Sequence, residues 1–254
     1  MKFFIKMTIY ALALIGLILV AGYLAVKFGF TNTKGIIDNQ REYFQDEMSS
    51  SDTWRKTEEW NVLKEAILKD RDSLDKASLD SGIKARMIVA PLVVEQLRLY
   101  HSEREIFKSI FAPLRILGNQ SQFSWGVMGI KQETARQIER NMKNDENILE
   151  FTTDNSDKER FTRLTDEKDR YYSYLYAGLM MKQIQTQWAK AGFPIENRPD
   201  IIATLFNIGF ENSNPHANPL SGGSRIEISG IEYSFGSLAK SFYDSQELRE
   251  EFPI

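Results

Sequence analysis

The chain is 254 residues long, 42% hydrophobic and 26% charged, with a formal charge of −3, an ordinary globular composition and the wrong one for a disordered protein. Residues 1–35 hold four lysines and no acid, so the remainder carries 28 of the 32 basic groups against all 35 acidic ones, a net −7; an acidic body argues against a nucleic-acid partner, because phosphate binding needs clustered Lys and Arg. There is no cysteine, which excludes disulfides, a thiol nucleophile, thiolate metal ligands and lipid attachment through a lipobox, and His101 and His216 lie too far apart in sequence to suggest a zinc site.

Met7 to Val26 is a run of 20 residues without a charge, bracketed by Lys2, Lys6 and Lys27. At about 1.5 Å per residue a helix of that length spans the roughly 30 Å core of a bilayer. A cleaved signal peptide has a shorter apolar region and a small-x-small cleavage site, for which only Ala21 to Ala25 offers material. The expectation is one retained membrane anchor within residues 1–30, with a signal sequence as the other reading. Residues 31–80 then read as a tether and a docking helix. Ser49-Ser50-Ser51-Asp52 starts a helix or a tether, and Trp60, Leu63, Ile67 and Leu74 recur at helical spacing between Thr53 and Asp80.

The remaining residues, 81–254, read as one mainly α domain with a small C-terminal β-hairpin. Ile83, Met87, Ala90, Val94 and Leu97 repeat at intervals of four and three, and Ser81 is placed to cap the helix they define. Pro91 removes one backbone donor inside that helix. Glu95 shares a stripe with Ile88, Leu92 and Leu99. A carboxylate among such neighbours is either paired with Arg98 or held partly protonated by desolvation. Ile106 to Leu117 is a second apolar piece, a lid or one wall of a cleft, and Glu103 and Glu105 belong to a charged stretch that reads as a solvated face.

Gly126 and Gly129 mark backbone that passes close to something or takes positive φ. Trp125 and Met128 beside them are core residues or apolar platforms for a ligand. Gln132–Met142 follows as a helix with Ala135, Ile138 and Met142 inward. Lys143 to Asp169 reads as a loop and a short surface helix. Tyr171 to Trp188 is a buried helix with more tyrosines than packing requires, some of them suited to line a ligand groove. Arg198-Pro199-Asp200 opens the next helix, and Asn207 near its end either caps a turn or binds a ligand. The alternation in RIEISGIEYSF around Ser229-Gly230 predicts a hairpin, and Leu238 to Leu248 a last short helix.

Four pieces of this chain stand in a recognisable order. Glu95 comes toward the end of its helix. Gly126-Val127-Met128-Gly129-Ile130-Lys131-Gln132 is followed by Thr134-Ala135. Then come Tyr176-Ala177-Gly178 and Ala203-Thr204-Leu205-Phe206-Asn207-Ile208-Gly209. The set resembles the catalytic Glu, the G-L-M-Q…T-A signature, the Y/A-G helix and the A-x-x-Y-N-x-G turn of lysozyme-like lytic transglycosylases, the superfamily of soluble lytic transglycosylases and goose-type lysozyme. Gln96 stands where that family usually has Ser, and Phe206 where it has Tyr. Glu95 to His101 also looks like the E-D-x-x-F-Y-x-H segment of peptidoglycan glycosyltransferases, which act on the same glycan.

The resemblance implies a lysozyme-like helical domain that cleaves the bond between N-acetylmuramic acid and N-acetylglucosamine in peptidoglycan. It implies Glu95 as the sole acid/base, giving 1,6-anhydro ends, and Ser124, Gly126, Met128, Gly129 and Tyr176 as groove residues. Asn207 would then bond a substrate N-acetyl group. It implies no cofactor and no metal, a place on the periplasmic side of the inner membrane, and possible membership of an envelope protein complex. A hydrolytic muramidase on the same fold and an inactive glycan- or partner-binding scaffold are the other readings.

Overall fold

The stretch between Thr53 and Asp80 forms two helices where the apolar spacing predicts one, because the chain breaks at Asp70 and restarts. The structure, a computed structural model, describes residues 52–100, 124–142, 157–209 and 212–254, with residues 6–8, 10, 13, 14, 16, 17, 20 and 21 near the amino terminus. The expected tether before Asp52, the apolar piece Ile106–Leu117, and His101, Glu103 and Glu105 lie outside the described residues. So does most of the expected anchor. Its described positions are helical, and Met7, Tyr10, Leu14, Leu17 and Val20 are exposed there. Among the described residues no helix is long and apolar enough to cross a membrane.

After a 3-10 turn at Thr53–Lys56, α1 runs over Glu58–Lys69 and α2 over Arg71–Ser81. Thr57 caps α1 by accepting from the Trp60 N–H at 3.2 Å, with Glu58 and Glu59 in the first turn where a helix favours negative charge. The Asp70 carboxylate caps neither helix. It takes the Arg170 guanidinium at 2.9 Å and the Tyr174 hydroxyl at 2.5 Å, which ties the α1–α2 corner to the helix that begins at Tyr171. Trp54 and Trp60 meet edge-to-face at 5.0 Å, and both pack on Phe242 from the far end of the chain. Leu63, Ile67 and Leu74 are buried in the same core as the rest of the protein.

The candidate acid rides on α3, Ala85–Tyr100. Ser81 does not cap its start. It is the last residue of α2, which Gly82 ends in the left-handed conformation, and the Ser81 hydroxyl instead accepts from the Ile83 N–H. Nearly every residue of α3 from Arg86 to Glu95 is buried, Pro91 included. A short ladder follows, β1 at Ser124–Trp125 and β2 at Ile130–Lys131, then α4 (Gln132–Met142), α5 (Asp157–Leu164) and the long α6 (Tyr171–Lys190). The α2 and α6 helices touch so closely at Gly178 that a Cβ there would lie 2.7 Å from the Cβ of Ser81. This accounts for the glycine in Tyr176-Ala177-Gly178.

Helix α7 (Pro199–Ile208) precedes β3 (Arg225–Ile228) and β4 (Ile231–Ser234), and α8 (Phe235–Asp244) completes the fold. The β3–β4 hairpin pairs Arg225 with Ser234 and Ile228 with Ile231. Both turn residues, Ser229 and Gly230, have positive φ, as a two-residue I′ turn demands. Ser234 and Ser237 form a reciprocal cap at the start of α8. The architecture is mainly helical with a small two-stranded antiparallel sheet near the C-terminus.

Three of the four tyrosines of α6 meet carboxylates. Tyr171 donates to Asp80 at 2.5 Å, Tyr174 to Asp70 and Tyr176 to Glu139 at 2.6 Å. Burial, and after it those hydrogen bonds, push the Tyr174 and Tyr176 phenols well above the usual tyrosine range. A proton held more tightly in the folded than in the unfolded chain stabilises the fold fully below about pH 10, where free tyrosine ionises. That stability is lost as pH rises toward the folded-state values, by about 1.4 kcal/mol per pH unit for each such group. Urea midpoints measured from pH 8 to pH 11 are expected to stay level and then fall steeply above pH 10. A flat profile across that range would contradict the two buried pairs.

Candidate functional site

Glu95 lies near the C-terminal end of α3, where the helix turns its stripe of apolar residues into the core. Its side chain is 7% exposed. One carboxylate oxygen, Oε1, accepts from Arg98 Nη2 at 2.6 Å. The contact with Arg98 that the sequence allows for this carboxylate is made in the structure.

The carboxyl group rests against the turn between β1 and β2. Gly129 has φ of +63°, and a Cβ built on it would lie 2.9 Å from Glu95 Cδ and closer still to Oε1. Any side chain at 129 would collide with the carboxylate and be strained in its own backbone. The turn is held from several sides. Gln96 Nε2 donates to the Val127 carbonyl at 2.6 Å, so two consecutive residues of α3 both engage the turn. Across from them, Ser173 Oγ accepts from the Met128 N–H at 3.4 Å. Gly126, φ +66°, passes so near α5 and α6 that a Cβ on it would sit 2.7 Å from Ser173 Oγ and would strike the Leu164 carbonyl. The turn closes on itself through Gly129 N–H to Gly126 carbonyl, 3.2 Å.

The structure therefore brings together Glu95, Gly126, Met128 and Gly129, from segments that are 31 residues or more from Glu95 in sequence. Ser124 pairs through its backbone with Lys131 at the base of the same turn. Met128 is 1% exposed, a core residue that anchors the turn.

Tyr176 and Asn207 have other surroundings. Tyr176 is wholly buried. Its hydroxyl serves a charged cluster in which Arg160 grips Glu139 through two bonds of 2.8 and 2.5 Å, and Arg163 reaches the Tyr176 oxygen at 3.3 Å. That cluster clamps α4, α5 and α6 around the turn. Asn207, half-buried near the end of α7, accepts through Oδ1 from the Ser224 N–H at 2.9 Å and the Ser224 hydroxyl at 3.0 Å. Through these two bonds it holds the loop that leads into the C-terminal hairpin. Its amide N–H groups take no part in those two bonds.

Sequence reasoning missed Gln96 and Ser173. Gln96 carried a signal only as a departure from the expected Ser, and its reach to Val127 is a tertiary contact that no spacing encodes. Ser173 is hidden in a run of aromatics. Among the described residues no group of three or more His, Cys, Asp or Glu side chains is arranged to hold a metal ion. What the arrangement offers chemically is a single sequestered carboxyl group, one guanidinium beside it and a rigid small-residue turn. Comparison with family models, with curated proteins and with solved structures finds no match to this chain.

Proposed function

We propose that the chain is a peptidoglycan lytic transglycosylase with a divergent lysozyme-like fold, anchored by its N-terminal apolar run in the inner membrane and facing the cell-wall side. One observation carries this reading. The only carboxylate singled out by the ordered resemblance is buried and abuts the glycine turn of the second landmark, so that two pieces distant in sequence meet at one acid. Five exposed apolar residues along the described N-terminal helix positions suit a lipid setting.

In this reading Glu95 gives its proton to the glycosidic oxygen as the bond to C1 breaks through an oxocarbenium-like transition state. The resulting carboxylate then takes the proton of the muramic 6-hydroxyl as that oxygen attacks C1, closing a 1,6-anhydro ring. No water enters the product and Glu95 regains its proton. The turn at Gly126–Gly129, pinned by Gln96 and Ser173, keeps the carboxyl group in one place during both transfers. Glycan strands are the partner, and no cofactor takes part.

One feature favours the inactive-scaffold reading instead: Arg98 and Gly129 together close off the Glu95 carboxyl group. Incubating the full chain with purified sacculi and analysing the soluble products by mass spectrometry separates the alternatives. Anhydro-muropeptides are the expected result. Reducing ends would point to a hydrolytic muramidase, and binding to sacculi without release would point to the scaffold.

A further inference from the structure

Arg98 sits one helical turn beyond Glu95 on α3, and the pair is bound by half of what the guanidinium offers. Arg98 Nη2 donates to Glu95 Oε1 at 2.6 Å. Arg98 Nε, on the same edge of the guanidinium, is buried and has no acceptor among the described residues. That edge is a two-pronged donor whose geometry matches both oxygens of one carboxylate. Glu95 occupies a single prong. Buried donors are ordinarily satisfied, and an orphan calls for an explanation. Arg98 is also the more open member of the pair, with its side chain 19% exposed against 7% for Glu95. Gln96, the neighbouring polar side chain, is already committed to Val127.

We propose that Arg98 is the receptor for a carboxylate on the ligand of this site, and that its tie to Glu95 is a resting contact which the ligand's carboxylate displaces. The inference rests on the glycan-cleaving reading above for the identity of that ligand. In a muramic residue carrying a stem peptide, the lactyl group ends in an uncharged amide. Once the peptide has been removed, the same position is a free carboxylate, the one anionic group on an otherwise neutral strand. A guanidinium with an unused prong discriminates between these two, because only the carboxylate supplies two charged acceptors. The preferred substrate class is therefore glycan stripped of its peptides. Binding of its carboxylate at Arg98 frees Glu95 for proton transfer.

The test uses the full chain in detergent and two synthetic probes: a disaccharide of N-acetylglucosamine and N-acetylmuramic acid with a free lactyl carboxylate, and its methyl amide. The acid is expected to bind at least about tenfold more tightly than the amide, which is the discrimination one well-placed charged pair confers. Arg98→Met is expected to erase the difference, and Arg98→Lys to restore part of it, since Lys returns the charge without the fork. Cleavage of peptide-stripped and peptide-bearing strands, followed in parallel, is expected to show the same preference, expressed in KM. Arg98→Gln serves as a second variant should the Met protein unfold. Equal binding of acid and amide by the wild type, binding of neither, or full discrimination that persists in a folded Arg98→Met or Arg98→Gln protein each overturns the proposal. Discrimination in binding without cleavage of either strand leaves the receptor standing and removes the enzymatic reading. Cleavage without discrimination does the reverse.

Discussion

Glu95→Gln is expected to abolish release of anhydro-muropeptides from sacculi, lowering turnover by about 10³-fold, the middle of the range for a positioned general acid and base. The substitution is a demanding test because it changes so little else. Glutamine has the shape of glutamate, retains an oxygen for Arg98 Nη2 to donate to, and fits against Gly129 as the native side chain does. What it lacks is the ability to deliver a proton and take one back. Thermal melting of the variant, run beside the activity assay, shows whether the fold has survived. A folded Glu95→Gln protein that still digests peptidoglycan at the wild-type rate would transfer the acid's role elsewhere and leave the buried Glu95–Arg98 pair as a packing feature. Binding to sacculi is expected to be retained, since the substitution changes neither the size nor the shape of the side chain.

Arg86→Met is expected to have the largest effect on stability, a loss of about 3–5 kcal/mol by urea denaturation, with little stable fold left if the margin of the whole domain is ordinary. Arg86 is completely buried at the start of α3. All of its donors are used, and each acceptor is a backbone carbonyl of the chain's last segment. Nε donates to Tyr243 at 2.7 Å, Nη1 to Glu247 at 3.0 Å and Phe252 at 3.1 Å, and Nη2 to Phe242 at 2.9 Å and Ser245 at 2.8 Å. Burial lowers its pKa. The ring of carbonyls and the negative end of α8 nonetheless give the cation a place to sit, and the guanidinium lies 4.8 Å from the centre of the Phe242 ring. Methionine fills similar volume but takes a donor from all five carbonyls; Phe242 and Ser245 keep other donors, and the rest are left with a cost when water cannot reach them. Arg86→Lys is expected to recover only part of the loss, because three ammonium donors cannot copy a planar fork of five. A change below about 1 kcal/mol in the Met variant would mean that the tail relaxes and finds water. The anchor also bears on the position of Glu95, because α8 packs on the helix that carries it.

The two expectations belong to different levels of the same design. Glu95 fits where it does because its neighbour is glycine, on a helix whose other end is nailed down by Arg86. Between them, Gln96 and Ser173 hold the turn, and the Glu139–Arg160–Arg163–Tyr176 cluster braces the helices behind it.

Apolar spacing and breaker residues place a helix under the Ile83–Leu97 stripe, at Gln132–Met142, from Tyr171 to Trp188 and onward from Arg198-Pro199-Asp200, close to where the structure has them, and alternation around Ser229-Gly230 places the C-terminal hairpin. These are local properties, in which a residue's partners lie three, four or two positions away. Composition likewise set aside disulfides and thiol chemistry without any coordinates, and residue order pointed to Glu95 and the two glycines. What the linear pattern did not hold were the contacts made across long separations. The break at Asp70 answers to Arg170 and Tyr174, and Ser81 ends one helix where spacing suggested it would begin the next. Tyr176 has its hydroxyl turned into a charged cluster, and Arg86 gathers the carbonyls of a segment more than 150 residues away. Each of these is decided by which side chains come within about 3 Å of one another after folding. Hydrogen bonds and ion pairs depend on that distance and on direction, quantities that a sequence specifies only through the whole fold.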